Sequence, residues 1–426
     1  MNQRRKENIK IISATGIGTM LEWFDFTLFG ILSKLVSDKF FPTADPRLSL
    51  LATFGAFAVG FFTRPIGAIF IGHLGDKLGR KRAFLLTILL MVIPTMLIGL
   101  LPTYQDIGIL SPIILVVLRI FQGFSVSGEH GGAITYLSEY SNSRRRGLIS
   151  AIPMASANGG MLLASISGFL LATIFNEQQI HAWAWRIPFL LSVILGLIAW
   201  YLRSKMEETE IFKKIQKEKR IQRFPLKEVL KKHRKLLLLS TFSFLISAAY
   251  PYLLFFYLPN ATEKFIHEDI SSHVLILNSI SLLLAMVSYL VAAWISDFVG
   301  RKKVMVISAG VLIIITIPLF YIFPMTNIWN MFIFQIIGTI AYCSFTGPWA
   351  AATAENFPDN IRFSGISVSL NLAASIFGGT APIILTAFAF LSHSTLYSGL
   401  YFTLLSIVSF IMVLLSKYKN TFVSKN

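Results

Sequence analysis

The stretch Asp76-Lys77-Leu78-Gly79-Arg80-Lys81-Arg82 recurs in outline as Asp297-Phe298-Val299-Gly300-Arg301-Lys302-Lys303, and each copy lies between two long apolar runs. A second echo keeps the order: Glu139 precedes Arg146, and Glu355 precedes Arg362, by the same interval. One basic turn is unremarkable, but two turns with matched downstream partners point to an internal duplication. The apolar runs on either side of each copy place both halves in a membrane, where the backbone must satisfy itself as helix. Parallel repeats of about six spans each are an architecture of secondary transporters. The sequence therefore predicts an all-α membrane protein of 12 transmembrane helices in two six-helix repeats.

Composition enters as the test of that reading. At 54% hydrophobic and 14% charged residues, with a mean hydropathy of +0.67, the chain is too apolar for a soluble domain of its length. The apolar runs predict spans near 11–36, 49–74, 83–101, 110–133, 147–175, 184–204, 236–259, 273–296, 303–323, 328–353, 362–391 and 394–416. The halves are expected at 1–204 and 236–426, joined by a basic linker at 205–235. Pro153, Pro251 and Pro382 interrupt spans, which is tolerated where neighbouring helices or a cavity satisfy the freed backbone groups.

Orientation follows from the basic residues. Only Lys39, Arg47 and Lys264 fall in connections on one side, and Lys34, Arg64, Arg119 and Arg186 lie in or beside spans; the rest of the 38 belong to the other side. That bias predicts both termini in the cytoplasm of a multi-pass inner (plasma) membrane protein. It also accounts for the net charge of +17 as topology and attraction to lipid headgroups, so no nucleic-acid partner is expected. The N-terminal run behind Arg4, Arg5 and Lys6 resembles a signal peptide, but it is too long, contains Glu22 and Asp25, and lacks a small-residue cleavage site. It is expected to remain as the first span. Cys343 is the one cysteine, so no internal disulfide or multi-cysteine metal site can form. With no metal-ligand spacing, nucleotide loop or catalytic constellation, no cofactor and no enzymatic activity are expected, and energy must come from a gradient. The linker run Glu207–Arg234 mixes charge with Ile211, Phe212, Ile215, Phe224, Leu226, Val229 and Leu230, the pattern of short amphipathic helices on the inner membrane face. It reads mainly as a tether, with a regulatory docking site as the alternative.

Ionisable residues inside spans are costly and are functional candidates. Glu22 and Asp25 are three apart, on one face of the first span; two such carboxylates would repel if both were charged, so one of them can carry a proton. Arg64 and Arg119 fall mid-span and must find a carboxylate or an anionic substrate. The plain alternative is that they neutralise Glu22 and Asp25 in static pairs. That alternative is preferred for Arg64, which precedes Pro65 and Gly67, whereas substrate binding is preferred for Arg119. Glu129 is a third membrane carboxylate, and His130 beside it can titrate near neutrality or simply pack. Asn158 and Asn371 are buried amides suited to a substrate or to packing hydrogen bonds. Tyr250, Tyr252, Trp23 and several phenylalanines are candidate cavity walls.

Asp76 and Asp297 end their spans beside Gly79 and Arg80, and Gly300 and Arg301. A carboxylate there can pair with arginine or cap a neighbouring helix in one state and release it in another. Together with Glu139, Arg144–Arg146, Glu355 and Arg362 these residues form a candidate gating latch; loop solvation is the plain alternative.

Several of these motifs resemble a known family. Gly72-His-Leu-Gly75-Asp76-Lys-Leu-Gly79-Arg80-Lys81 is similar to the loop motif of the major facilitator superfamily, and Arg119-x-x-Gln122-Gly123 to its fourth-helix motif. More narrowly, Leu21-Glu22-Trp23-Phe24-Asp25-Phe26, Arg64-Pro65-Ile66-Gly67, Gly128-Glu129, Arg146-Gly147, Trp185-Arg186-Ile187-Pro188-Phe189 and Glu355-Asn356-Phe357-Pro358 resemble its metabolite:proton symporters. The resemblance spans about residues 14–390. It implies a coupling role for the arginine that falls on Arg119, and import with a proton of a small acid or zwitterion such as proline, glycine betaine or a dicarboxylate. Ser127 and His130 depart from the glycine and tryptophan usual around that glutamate.

The expectation is thus a proton-coupled symporter working by alternating access as a functional monomer, with a small organic acid or zwitterion, protons and membrane lipids as its partners. Substrate binding is assigned to Arg119, Arg64, Asn158 and Asn371, and proton coupling to Glu22, Asp25, Glu129 and His130. The alternatives are an uncoupled facilitator, or a membrane receptor that has lost transport.

Overall fold

The computed structural model describes residues 3–43, 45–222, 224–259, 261–262, 271–323, 327–392 and 396–418. Lys264 and the first residues of the last expected span lie outside them. Among the described residues the chain is helical, with no strand. In the first half the main helices are α1 (Gln3–Ile31), α2 (Ser33–Phe40), α3 (Pro46–Phe62), α4 (Arg64–Lys77), α5 (Arg80–Leu100), α6 (Leu110–Tyr140), α7 (Ile152–Ile174) and α8 (Ile187–Ser204). The linker holds α9 (Glu210–Lys217) and α10 (Pro225–Lys232). The second half comprises α11 (Arg234–Ser243), α12 (Leu245–Tyr252), α13 (Ser271–Val299), α14 (Arg301–Ile322), α15 (Ile328–Asn356), α16 (Arg362–Ala373), α17 (Ala381–Ser392) and α18 (Leu396–Leu415).

Among the described residues, eleven helices or helix pairs are long and apolar enough to cross a membrane. Helix α1 is the twelfth span; Glu22 and Asp25 in its middle lower its hydropathy. Several expected spans are broken rather than continuous, three of them beside the cavity described below. The second divides at Thr63, where Pro65 in the first turn of α4 has no N–H to give. The seventh changes to a π-helical turn at Leu253–Tyr257, just after Pro251. The eleventh does the same at Ala374–Gly378 before α17 begins. Such turns often mark functional sites, and all three breaks lie close to the cavity described below.

Close packing relies on small residues, as expected where lipid supplies no hydrophobic drive between helices. A Cβ on Gly160 would collide with the Met20 carbonyl, and one on Gly347 with the Tyr289 carbonyl, so α7 meets α1, and α15 meets α13, backbone to backbone. The two halves touch chiefly along α4 with α16 and α7 with α13. Between these contacts lies the cavity. The turns joining α4 to α5 and α13 to α14 mark the end of the bundle bearing the basic connections, here the basic face.

Candidate functional site

A small cavity of about 50 Å³ sits between the halves. Its polar lining comes from both: Glu22 and Trp23 on α1, Arg64 at the start of α4, His130 on α6, Asn158 on α7, Ser247 and Tyr252 on α12, Tyr289 on α13 and Tyr342 on α15. Arg64 is 3% exposed and makes no ion pair among the described residues. Its guanidinium lies instead over the rings of Phe61 at 3.9 Å and Phe26 at 4.6 Å, and Nε has no hydrogen-bond partner there. Glu22 is equally buried, and its Oε2 is unpartnered. Cation–π contacts orient an arginine without neutralising it. The cavity is therefore lined by one buried arginine and one buried carboxyl group, neither in an ion pair among the described residues, beside Trp23, Tyr252 and the touching hydroxyls of Tyr289 and Tyr342. His130 faces the same space, with Nε2 3.1 Å from Met154 Sδ.

Arg119 occupies a different place. Its guanidinium donates to Asp25 Oδ2 at 3.1 Å and to Gln122 Oε1 at 2.7 Å. Gln122 Nε2 donates to Thr95 Oγ1 at 2.8 Å, and that hydroxyl donates to Asp25 Oδ1 at 2.9 Å, closing a ring. Phe29 covers the guanidinium at 3.9 Å. Arg119 does not line the cavity. Of the two arginines expected to bind substrate, Asp25 engages Arg119, while Arg64 lines the cavity without an ion pair among the described residues. Glu22 and Asp25, one turn apart, meet different surroundings.

Glu129 forms a two-pronged ion pair with Arg203 and accepts from Thr87 Oγ1 at 2.8 Å. Counting charges places Arg203 among the basic connections; the structure buries it to 1% exposure in the last turn of α8. Its Nε donates to the Ala14 carbonyl at 3.1 Å, and Gly18 supplies the space, since a Cβ there would strike the guanidinium. The available signal was one arginine at the end of an apolar run, obscured by Glu207, Glu208 and Glu210 just after it, which offer nearer partners in sequence. Tyr289 and Tyr342 were also missed, as single tyrosines in apolar runs carry no pattern. Asn158 donates to the Met154 carbonyl and still faces the cavity. Asn371 instead donates to the Ser127 carbonyl of the other half at 2.7 Å and to Ser367 O at 2.8 Å, a contact that holds α16 to α6.

The duplicated turns meet at the basic face. Asp76 accepts the backbone N–H groups of Phe363 at 3.3 Å and Ser364 at 2.8 Å, in the first turn of α16. Asp297 accepts those of Gly147 at 2.8 Å and Leu148 at 3.0 Å, in the Arg146–Ser150 helix leading into α7. Each carboxylate thus caps a helix of the opposite half, where free N–H groups and the helix dipole favour negative charge. Arg80 pairs with Asp76 at 3.4 Å and Glu139 at 3.1 Å; Arg301 pairs with Asp297 at 2.7 Å and Glu355 at 3.4 Å. The glutamates then cross over, Glu139 to Arg362 at 3.1 Å and Glu355 to Arg146 at 3.6 Å. Gly79 and Gly300 turn the chain ahead of each arginine with φ of 107° and 101°, a conformation that a Cβ disfavours.

The linker is tied into this face. Thr209 Oγ1 accepts from Phe212 N at 3.2 Å, capping α9, and donates to Glu139 Oε2 at 2.7 Å. Glu208 Oε2 accepts the Lys81 N–H at 3.2 Å, and Phe212 lies 5.0 Å from the Arg80 guanidinium. With Phe212 and Ile215 buried, α9 turns its apolar face to protein rather than to lipid. Helix α10 buries Val229 with Ala68 of α4 and Ile361 and Val368 of the second half.

The family model described as Major Facilitator Superfamily matches residues 15–382. The chain is similar to the glycine betaine/proline/ectoine/pipecolic acid transporter OusA of Dickeya dadantii, at 34% identity over 402 residues, 92% of this chain and 80% of that protein. It is 33% identical to the proline/betaine transporter of Escherichia coli over 383 residues, 88% of this chain and 76% of that one. Among solved structures, the proton:xylose symporter XylE bound to 6-bromo-6-deoxy-D-glucose superposes with a TM-score of 0.79 at 15% identity, covering 95% of this chain and 94% of that one. At that identity the likeness speaks for the fold alone.

Proposed function

The chain belongs to the Major Facilitator Superfamily and is a membrane transporter, and from that premise we propose that it is a proton symporter importing a small zwitterion of the proline or betaine type by alternating access. The observation that carries the proposal is the pair of unpaired, buried, opposite charges in one aromatic cavity. Arg64 is suited to a substrate carboxylate, for which its planar fork offers two parallel donors. The rings of Trp23, Tyr252, Tyr289 and Tyr342 suit the ammonium end, since ring faces attract onium groups and need no hydrogen bond from them, which leaves Glu22 free to take the proton. A dicarboxylate fits less well: Arg119 and Arg203 already hold Asp25 and Glu129, so a second substrate anion would find no free arginine there.

In this reading the basic face is the cytoplasmic one, as the distribution of lysine and arginine favours. The structure then has its cytoplasmic gate shut. Glu22 is the proton site, because a carboxylate without a fixed partner loses least when neutralised. The Asp25–Arg119 ring and the Glu129–Arg203 pair flank it and exchange charge with it as the halves, 1–204 and 236–426, rock. The names of the proline/betaine relatives support the substrate class.

The test is uptake by proteoliposomes under an inward proton gradient, with labelled proline, glycine betaine and 2-oxoglutarate. Accumulation of a zwitterion, abolished by a protonophore, is the expected result. Equilibration without accumulation would establish the uncoupled alternative, and uptake of 2-oxoglutarate alone would overturn the substrate assignment.

A further inference from the structure

A second concavity, of about 490 Å³, opens on the flank of the molecule between α4 and the linker helix α10. Its walls are Ile69 and His73 from α4 and Phe224 and Leu230 from the linker, with Lys227 and Lys231 at its edge. Phe224 and Leu230 are 58% and 50% exposed, and the Phe224 ring stacks at 6.4 Å on His73. Helix α4 is a membrane span, and Ile69 lies about 12 Å along it from Lys77 at the basic face, at about 1.5 Å per residue. One wall of the groove is thus at acyl depth, while its rim is at headgroup level.

The two lysines are one helical turn apart and share a face of α10. Neither forms an ion pair among the described residues. Other linker lysines are matched to acids: Lys232 to Glu228 at 3.0 Å, Lys213 to Glu207 and Glu210, and Lys214 to Glu218. Glu228, which lies between them in sequence, is already taken by Lys232, so the two cations above the apolar groove have no ion-pair partner among the described residues. Charge complementarity and an apolar floor together select an occupant with an anionic head and a hydrocarbon tail.

We propose that this groove binds one anionic phospholipid, its acyl chain against Ile69 and Leu230 and its phosphate between Lys227 and Lys231. A free phosphate would use the lysines but leave the apolar walls wet, and a zwitterionic lipid would bring a cation to two cations. Because the opposite side of α10 packs Val229 against both halves, a lipid seated here holds the linker helix on α4 and reaches the interface at which the halves move.

The experiment is native mass spectrometry of the full-length protein in detergent, titrated with phosphatidylglycerol or phosphatidylcholine of identical acyl chains. The expected result is one tightly retained phosphatidylglycerol, favoured at least about tenfold over phosphatidylcholine. Retention should fall about tenfold or more in Lys227→Glu/Lys231→Glu, given the attraction each basic residue has for an anionic headgroup, and stay unchanged in Lys213→Glu/Lys214→Glu. Ile69→Trp, which fills the groove without altering charge, should also lower retention. Equal retention of the two lipids, or wild-type retention by both the Lys227/Lys231 and Ile69 variants, would overturn the proposal. So would displacement by millimolar inorganic phosphate, which would make this a simple anion site. The readout needs no transport, so it stands or falls independently of the substrate assignment.

Discussion

Arg203 and Glu129, far apart in sequence, close a two-pronged ion pair beneath the basic face, with side chains only 1% and 3% exposed. Removing one partner of such a pair strands the other charge in a medium that cannot solvate it, at a cost of about 3–5 kcal/mol. Arg203→Ala and Glu129→Gln should each lower the thermal unfolding temperature in detergent. Arg203→Met combined with Glu129→Leu should be more stable than Arg203→Met alone, because no charge is then left unpaired.

The two aspartate caps give a prediction for the proposed gate at the basic face. Each carboxylate accepts two backbone N–H groups across the interface, and a hydrogen bond to a charged group contributes about 1.5–3 kcal/mol. In Asp76→Ala the closed gate should lose at least about tenfold in population, since about 1.4 kcal/mol is a factor of ten. Asp297→Ala should behave alike, and the double variant should exceed either. The check is the labelling rate, from the basic face, of Asn158→Cys in a Cys343→Ser background, with an impermeant maleimide.

Arg64 and Arg119 should separate in kinetics. Arg64→Ala removes the cavity's guanidinium, which makes no ion pair among the described residues, so binding of the proposed substrate, proline or betaine, should weaken by about tenfold or more, the worth of a charged hydrogen bond. Arg119→Lys keeps a charge beside Asp25 but loses the planar fork, and should leave affinity near normal while reducing accumulation. Isothermal titration for affinity and proteoliposome uptake for accumulation distinguish the two effects.

Glu22→Gln keeps the shape of the cavity and removes its unpartnered carboxylate. Exchange of labelled for unlabelled substrate across the membrane should persist, while accumulation driven by a pH gradient should be lost. Wild-type accumulation in this variant would rule out Glu22 as the proton site.

Glu208, in the linker, gives a pH prediction. Burial beside the start of α5 raises its carboxyl above the ordinary value of 4.5, against the lowering effect of the Thr209 and Lys81 N–H groups. The folded state therefore holds this proton more tightly than the unfolded state does. Stability from this group is present below the ordinary value and is lost as pH rises through the raised one. The difference in unfolding temperature between Glu208→Gln and wild type should accordingly grow in favour of the variant as pH rises from about 4.5.

Much of the fold was legible because the membrane allows so few solutions. Apolar runs must become helices, and a duplicated Asp-x-x-Gly-Arg turn needs a duplicated setting, so the helical two-repeat fold and the matching places of the two turns could be read from the chain. The candidate site was legible only as an inventory. Residue type and mid-span position marked Glu22, Asp25, Arg64, Arg119 and Glu129 as costly and therefore worth explaining. Their pairing was not legible, because Coulomb attraction and hydrogen bonding act over a few ångströms between helices whose relative rotation the sequence does not state. Tertiary structure alone decided that Asp25 takes Arg119, that Arg203 turns inward to Glu129, and that Glu139 and Glu355 cross to arginines of the other half. The same packing left Arg64 and Glu22 on the lining of the cavity between the halves, with no ion pair to either among the described residues.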